Sequence, residues 1–215
     1  MEAENRELLR AGARGLGVEL DAAALGLLEK YLALLNKWNE KINLTAVRKE
    51  REQVVSLLLD SLAVAMVVPD REKVLDLGSG AGLPGIPLKV ARPGIDLYLA
   101  ESRRKKADFL GAVTRELGLK GVRVYAGRAE ELAAGEKFGT VTARAVADLG
   151  ELAALAAGLL GPGGRLVAMK GPDPESELRA AQGALDRAGL RLDRVRRYEL
   201  PAGEGNRSLV ILVKA

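Results

Sequence analysis

The chain contains no cysteine and no histidine. That excludes a disulfide framework, thiolate metal sites, iron–sulfur clusters, and both Cys–His and Ser–His–Asp catalysis. Only carboxylate-type metal ligands remain, and no metal is expected. Aromatic residues are 3% of the chain: Trp38, four tyrosines and two phenylalanines. That is too few for a ladder stacking successive bases, so a general single-strand binder is disfavoured. No apolar run approaches the roughly 18 residues of a membrane span. The opening MEAENRELLR is polar and acidic, unlike a secretory leader. A cytoplasmic protein with no membrane partner is the expectation.

What is present suits a folded protein: 215 residues, 48% of them hydrophobic and 29% charged. A chain this long buries on the order of 70% of its unfolded surface and needs no staples. The net charge of +4 is uneven. Residues 1–70 hold 9 basic and 11 acidic side chains; residues 71–215 hold 24 and 18. An anionic partner would meet the second region, although such an excess is also ordinary for a solvated surface.

Periodicity changes near residue 70. Leu8, Leu9 and Leu16 suit a short first helix. Asp21 can cap a second, in which Leu25, Leu28, Leu32 and Leu35 recur at three- and four-residue spacing through Trp38. Asn43–Thr45 is a break, and Glu50 to Val68 reads as a helix ended by Pro69. Residues 1–70 are therefore read as a helical cap and 71–215 as a separate α/β domain. In the second, strands at 73–78, 95–101, 122–126, 138–144 and 165–170 alternate with helices at 85–92, 103–117, 129–134, 148–160 and 175–188. GPGG (161–164) reads as a turn. Repeated βα units imply a mostly parallel, doubly wound sheet with helices on both faces. Two closing strands, 190–200 and 207–214, have no helix between them and should pair antiparallel.

The sharpest segment is VLDLGSGAGLPGIPL (74–88). Gly78, Gly80 and Gly82 leave a buried strand and run towards a helix, at the sheet edge where such folds bind nucleotides. Gly80, Gly82 and Gly85 formally fit the dinucleotide spacing, but Pro84 interrupts it. Asp76 would sit poorly beside a pyrophosphate and well beside a cation; capping a helix or turn is its other use. Glu101 ends the next strand, where it can accept from both ribose hydroxyls, or stand as an exposed strand-end charge. S-adenosylmethionine satisfies both carboxylates, since it has adenosine, no phosphate and a positive sulfonium.

The D-L-G-S-G-A-G-L-P-G-I-P-L stretch resembles the glycine loop of the bacterial small-subunit ribosomal RNA guanine-N7 methyltransferases, the glucose-inhibited division protein B family. KINLTAV (41–47), LDSL (59–62), ESRRKKADFL (101–110), GRAEEL (127–132), ARAVADL (143–149) and AMKG (168–171) resemble further segments of that family in order, from about residue 31 to the end. The resemblance implies a Rossmann-like class I methyltransferase sheet, S-adenosylmethionine as cofactor, and 16S ribosomal RNA or the small subunit as partner. A monomer is expected. It also implies that Gly78, Gly80 and Leu83 line the methionine and adenosine side, that Ala129 and Glu130 contact adenine, and that Arg144 reaches the cofactor or substrate mouth. Two family histidines are replaced here, by Leu57 and by Ser208.

Guanine N7 presents a lone pair and carries no proton at neutral pH, so its methylation needs alignment at about 3–3.5 Å and no general base. No catalytic residue is therefore named. RNA contacts are expected from the run Arg103, Arg104, Lys105 and Lys106 at a helix start, flanked by Lys170 and Arg207; a solvated helix face is the plainer use of such a run. Two other functions compete: an NAD-dependent oxidoreductase on a similar sheet, and a non-catalytic ribosome-associated RNA-binding protein.

Overall fold

The computed structural model describes all 215 residues. Seven strands form one sheet in the order β3-β2-β1-β4-β5-β7-β6. The strands are β1 (Lys73–Leu77), β2 (Asp96–Ala100), β3 (Val122–Tyr125), β4 (Phe138–Arg144), β5 (Leu160–Lys170), β6 (Leu190–Leu200) and β7 (Gly205–Lys214). β1 to β5 pair parallel, and β7 runs antiparallel to both β5 and β6. Reversal after β5 places the β6–β7 turn at the edge where the parallel strands end.

Alternation along the strands gives the sheet two apolar faces. Val74, Leu97, Leu99 and Ile211 face one core, with Leu9, Tyr31, Leu59, Ile86 and Phe109. Leu75, Leu77, Val141, Leu166 and Leu212 face the other, with Leu152, Ala156 and Leu185. The first core is roofed by α1 (Ala3–Gly15), α2 (Ala22–Asn39), α5 (Gly85–Ala91) and α6 (Arg104–Glu116); the second by α7 (Leu149–Leu159) and α8 (Glu175–Ala188). Residues from the first 70 thus share one continuous core with the sheet.

Local signals explain several boundaries. The Asp21 side chain accepts from Ala24 N at 2.7 Å and starts α2. The Asp148 side chain accepts from Glu151 N at 2.9 Å and starts α7. In the break at 43–45 the Asn39 side chain supplies what a helix no longer does, accepting from Leu44 N and Thr45 N and donating to Thr45 O.

Two elements differ from the sequence reading. The segment 161–164 is not a free turn: β5 begins at Leu160 opposite Phe138, slips register, and resumes with Arg165 opposite Thr140. The second is the helical run after the break, which ends at Met66, short of Pro69. It is α3 (Glu50–Gln53), a π-helical stretch (Val54–Leu59), α4 (Asp60–Leu62) and a 3-10 end (Ala63–Met66). A π-helical stretch is rare and recurs at functional sites.

Candidate cofactor cleft and substrate mouth

β1 runs straight into the glycine loop. Gly78, Gly80 and Gly82 have φ of +66°, +56° and +88°, a region side chains rarely enter. Ser79 locks the bend: its N–H donates to Ala100 O at 3.0 Å, its hydroxyl donates to Asp76 O at 2.9 Å, and its carbonyl accepts from Gly82 and Leu83. From α2, the buried Tyr31 hydroxyl donates to Ala81 O at 2.8 Å. Burial pushes that phenol well above its ordinary pKa, so it remains a donor.

Asp76 is inside the loop rather than beside a ligand, which corrects the reading made from its position in the sequence. Its side chain is fully buried; Oδ2 accepts from Gly85 N at 3.1 Å and Oδ1 from the Thr142 hydroxyl at 3.1 Å. Burial pushes its pKa from 3.8 up to about 7, with the Gly85 N–H and the Thr142 hydroxyl only partly opposing. The folded state therefore holds this proton more tightly than the unfolded state, and Asp76 makes stability fall as pH rises from 3.8 to about 7. Asp76→Asn removes that dependence. Urea unfolding between pH 4.5 and 8, on the order of 1.4 kcal/mol per pH unit at most, should show the variant gaining on the wild type up to about pH 7 and level thereafter. A pH-independent difference would contradict the assignment.

The same bond bears on the ligand class. Dinucleotide-binding sheets seat a pyrophosphate on the first N–H groups of the helix after β1. Here the Gly85 N–H that opens α5 is taken by the chain's own carboxylate. The seat is filled from within, which disfavours NAD.

Beside the loop lies an open cleft of about 600 Å³ over the ends of β1, β2 and β3. Gly78, Ala100, Ala129, Glu130 and Val146 are among the residues lining it. Its charged lining is Arg128 against Glu130 and Glu131, a poor cradle for phosphates and a fair one for a cation. Gly78 is exposed at its floor, and a side chain there would meet Val146 Cγ2 at 3.0 Å. Glu101 stands at its edge, nearly buried; Oε2 accepts from Gly80 N at 2.9 Å and Oε1 from Arg103 N at 2.7 Å. A carboxylate has about four acceptor sites, so two remain for ribose hydroxyls. Phosphate-free adenosine bearing a positive group fits this arrangement.

The family model for rRNA small subunit methyltransferase G matches residues 24–208. The chain belongs to that family. It is 43% identical to ribosomal RNA small subunit methyltransferase G of Symbiobacterium thermophilum, over 97% of this chain and 89% of that one. It is 41% identical to the protein of the same name from Ralstonia nicotianae, over 98% and 96%. In fold it is similar to M. jannaschii TYW2 solved in complex with AdoMet, with a TM-score of 0.61 and 14% identity over 81% of this chain and 78% of that one.

The remaining site residues divide into those at the cleft and those drawn elsewhere. Gly82 and Leu83 face inward. A Cβ on Gly82 would lie 2.4 Å from Ile86 Cδ1, and Leu83 is buried in the first core. They shape the loop and do not line the cleft. Arg144 does not line the cleft itself; its guanidinium lies on the side of the N-terminal helices, with Nη2 donating to Ser56 O at 2.8 Å and standing 3.4 Å from Asp60 Oδ2. Lys170 is occupied: Nζ donates to Ala147 O at 3.0 Å and pairs with Glu177 Oε1 at 2.6 Å, tying the starts of α7 and α8 together. This takes it out of the expected RNA contacts. Arg207 is half-buried beside Tyr198 on the neighbouring strand.

Arg103, Arg104, Lys105 and Lys106 form one wall of a cup of about 410 Å³ whose other wall is Lys41, Ile42 and Asn43. Arg104 is paired with Asp108 at 3.0 Å, whereas Lys41 and Lys105 are exposed and make no ion pair. Lys41 lies in the KINLTAV segment, but nothing in its spacing joins it to a run more than sixty residues later. Asp60 and Tyr198, whose side chains meet at 2.6 Å, were equally invisible as a pair. No helix is long and apolar enough to cross a membrane.

Proposed function

We propose that this protein transfers the methyl group of S-adenosylmethionine to N7 of a guanine in 16S ribosomal RNA, in line and without a general base. The observation that supports this reading is the filled anion seat beneath a cleft floored by Gly78. Such a site takes a nucleoside carrying positive charge, and it opens where no histidine or cysteine exists to act as a base.

When bound, S-adenosylmethionine supplies an electrophilic methyl group on a sulfonium. Gly78 and Gly80 keep the loop backbone low enough for close approach. Glu101 accepts from the ribose with its unused lone pairs, and Ala129 and Glu130 border the adenine. Leu77, Val146 and Leu155 give the cleft its apolar wall. Guanine N7 arrives with its lone pair free, so the chain has no proton to move; its task is alignment. The cup of Lys41 and Arg103–Lys106 holds backbone phosphate of the RNA, and Arg207 is a further phosphate contact. Residues 1–70 act as a cap that braces the loop through Tyr31, and 71–215 bind the cofactor. The protein works as a monomer, in the cytoplasm, on 16S RNA or the small subunit.

The test is labelled methyl transfer to small subunits purified from cells lacking this protein, followed by nuclease digestion and mass spectrometry. The expected product is 7-methylguanosine in 16S RNA, together with tight binding of S-adenosylhomocysteine and none of NADH. No incorporation, or label at another ring position or on ribose, would overturn the reading.

A further inference from the structure

We propose that Asp60 and Tyr198 are positioning residues that hold the Arg144 guanidinium where it donates to O6 of the target guanine. The inference rests on the guanine-N7 reaction proposed above. Leu77 and Ala143 are register partners, so Arg144, the next residue of β4, stands level with Gly78 at the edge where the cofactor loop begins. Its guanidinium is held on the side of the N-terminal helices. Nη2 donates to Ser56 O at 2.8 Å and lies 3.4 Å from Asp60 Oδ2; Nη1 lies 3.4 Å from the Ser61 hydroxyl. Ser56 belongs to the π-helical stretch and Asp60 follows directly after it. A guanidinium has five N–H donors, and the Arg144 side chain is 23% exposed, so donors remain for the mouth.

Asp60 is only 6% exposed, and its other oxygen, Oδ1, accepts from the Tyr198 hydroxyl at 2.6 Å. Three elements far apart in sequence are thus spent on aiming one cation. A nearly buried ion pair of this kind adds little stability over apolar filling, so stability alone is a weak reason for it. Chemistry at the mouth gives a better one. Guanine O6 is an acceptor next to N7 on the same base edge, whereas adenine carries an amino donor there. A guanidinium beside the reacting nitrogen therefore accepts guanine and rejects adenine. Asp60 does a second service. The purine gains positive charge as the methyl arrives, and an unneutralised arginine would oppose that gain; the adjacent carboxylate cancels it.

The experiment compares wild type, Tyr198→Phe and Asp60→Asn on reconstituted small subunits carrying guanine or 2,6-diaminopurine at the methylated position. Diaminopurine keeps N7 and replaces O6 by an amino group. The wild type should lose about ten- to a hundredfold in kcat/KM on the analogue, the worth of a hydrogen bond to a charged group. Relative to the wild type on the same base, each variant should lose about tenfold on guanine and almost nothing on diaminopurine, with S-adenosylhomocysteine affinity unchanged. Equal proportional losses on both bases would mean a structural role and overturn the inference, as would unchanged guanine activity in both variants. A wild type that forms no 7-methylguanosine overturns the proposed reaction itself, and this inference with it.

Discussion

Gly78→Val should lower the affinity for S-adenosylhomocysteine by more than about a hundredfold, equivalent to about 2.7 kcal/mol. Two independent costs combine. The residue has φ +66°, and a left-handed backbone costs an ordinary residue roughly 1–2 kcal/mol, more when it is β-branched. The added Cβ would also lie 3.0 Å from Val146 Cγ2, and the two further methyl groups enter the space the cofactor needs. Gly80→Ala is the informative comparison. Its φ is +56°, but the nearest atom to an added Cβ is 3.8 Å away, so strain acts without obstruction and the loss should be smaller. Isothermal titration checks both, with the unfolding midpoint as a control. Normal binding by Gly78→Val would move the cofactor out of this cleft.

Phe109→Ala should cost about 3–5 kcal/mol of stability and lower Tm by roughly 10 °C. The ring is fully buried in the core that α2, α6 and the sheet share. It meets the Trp38 ring edge-on, with centroids 5.7 Å apart and planes at 63°. Removing it leaves a cavity at the seam between the N-terminal helices and the βα units. Urea denaturation measures the loss. A cost below about 1.5 kcal/mol would show that the seam relaxes and that the two parts do not depend on each other.

Much of this architecture was legible because it is written locally. The leucine spacing of α2, the Asp21 and Asp148 caps, the βα alternation and the helix-free link between β6 and β7 all depend on residues near in sequence. So did the glycine loop, whereas the Ala129–Glu130 border of the cleft came from the family resemblance alone. What escaped depends on partners far away. GPGG has turn chemistry, yet its backbone is drawn into β5 by Phe138 on the neighbouring strand. Helical periodicity of 54–59 looks the same for an α- or a π-helix; no local residue marks the wider turn that carries Ser56. Lys170 ends a strand at the expected mouth, and only the fold reveals that Glu177 has claimed it. Leu83 sits in the glycine loop but turns into the core, because an apolar side chain gains more there than in a polar cleft. Asp76 was read as facing a cation; geometry gives it the capping use instead.

The carboxylate lodged against α5 also has a meaning for the crowded interior of a cell. ATP, NAD and free phosphate are abundant competitors for any nucleoside pocket, and all of them bind through negative oxygens. With the Gly85 N–H already taken by Asp76, those molecules find no free donor where a related sheet would offer them an anchor. On the function proposed above, discrimination against the common anions then comes from a donor withheld rather than from a charge that repels them.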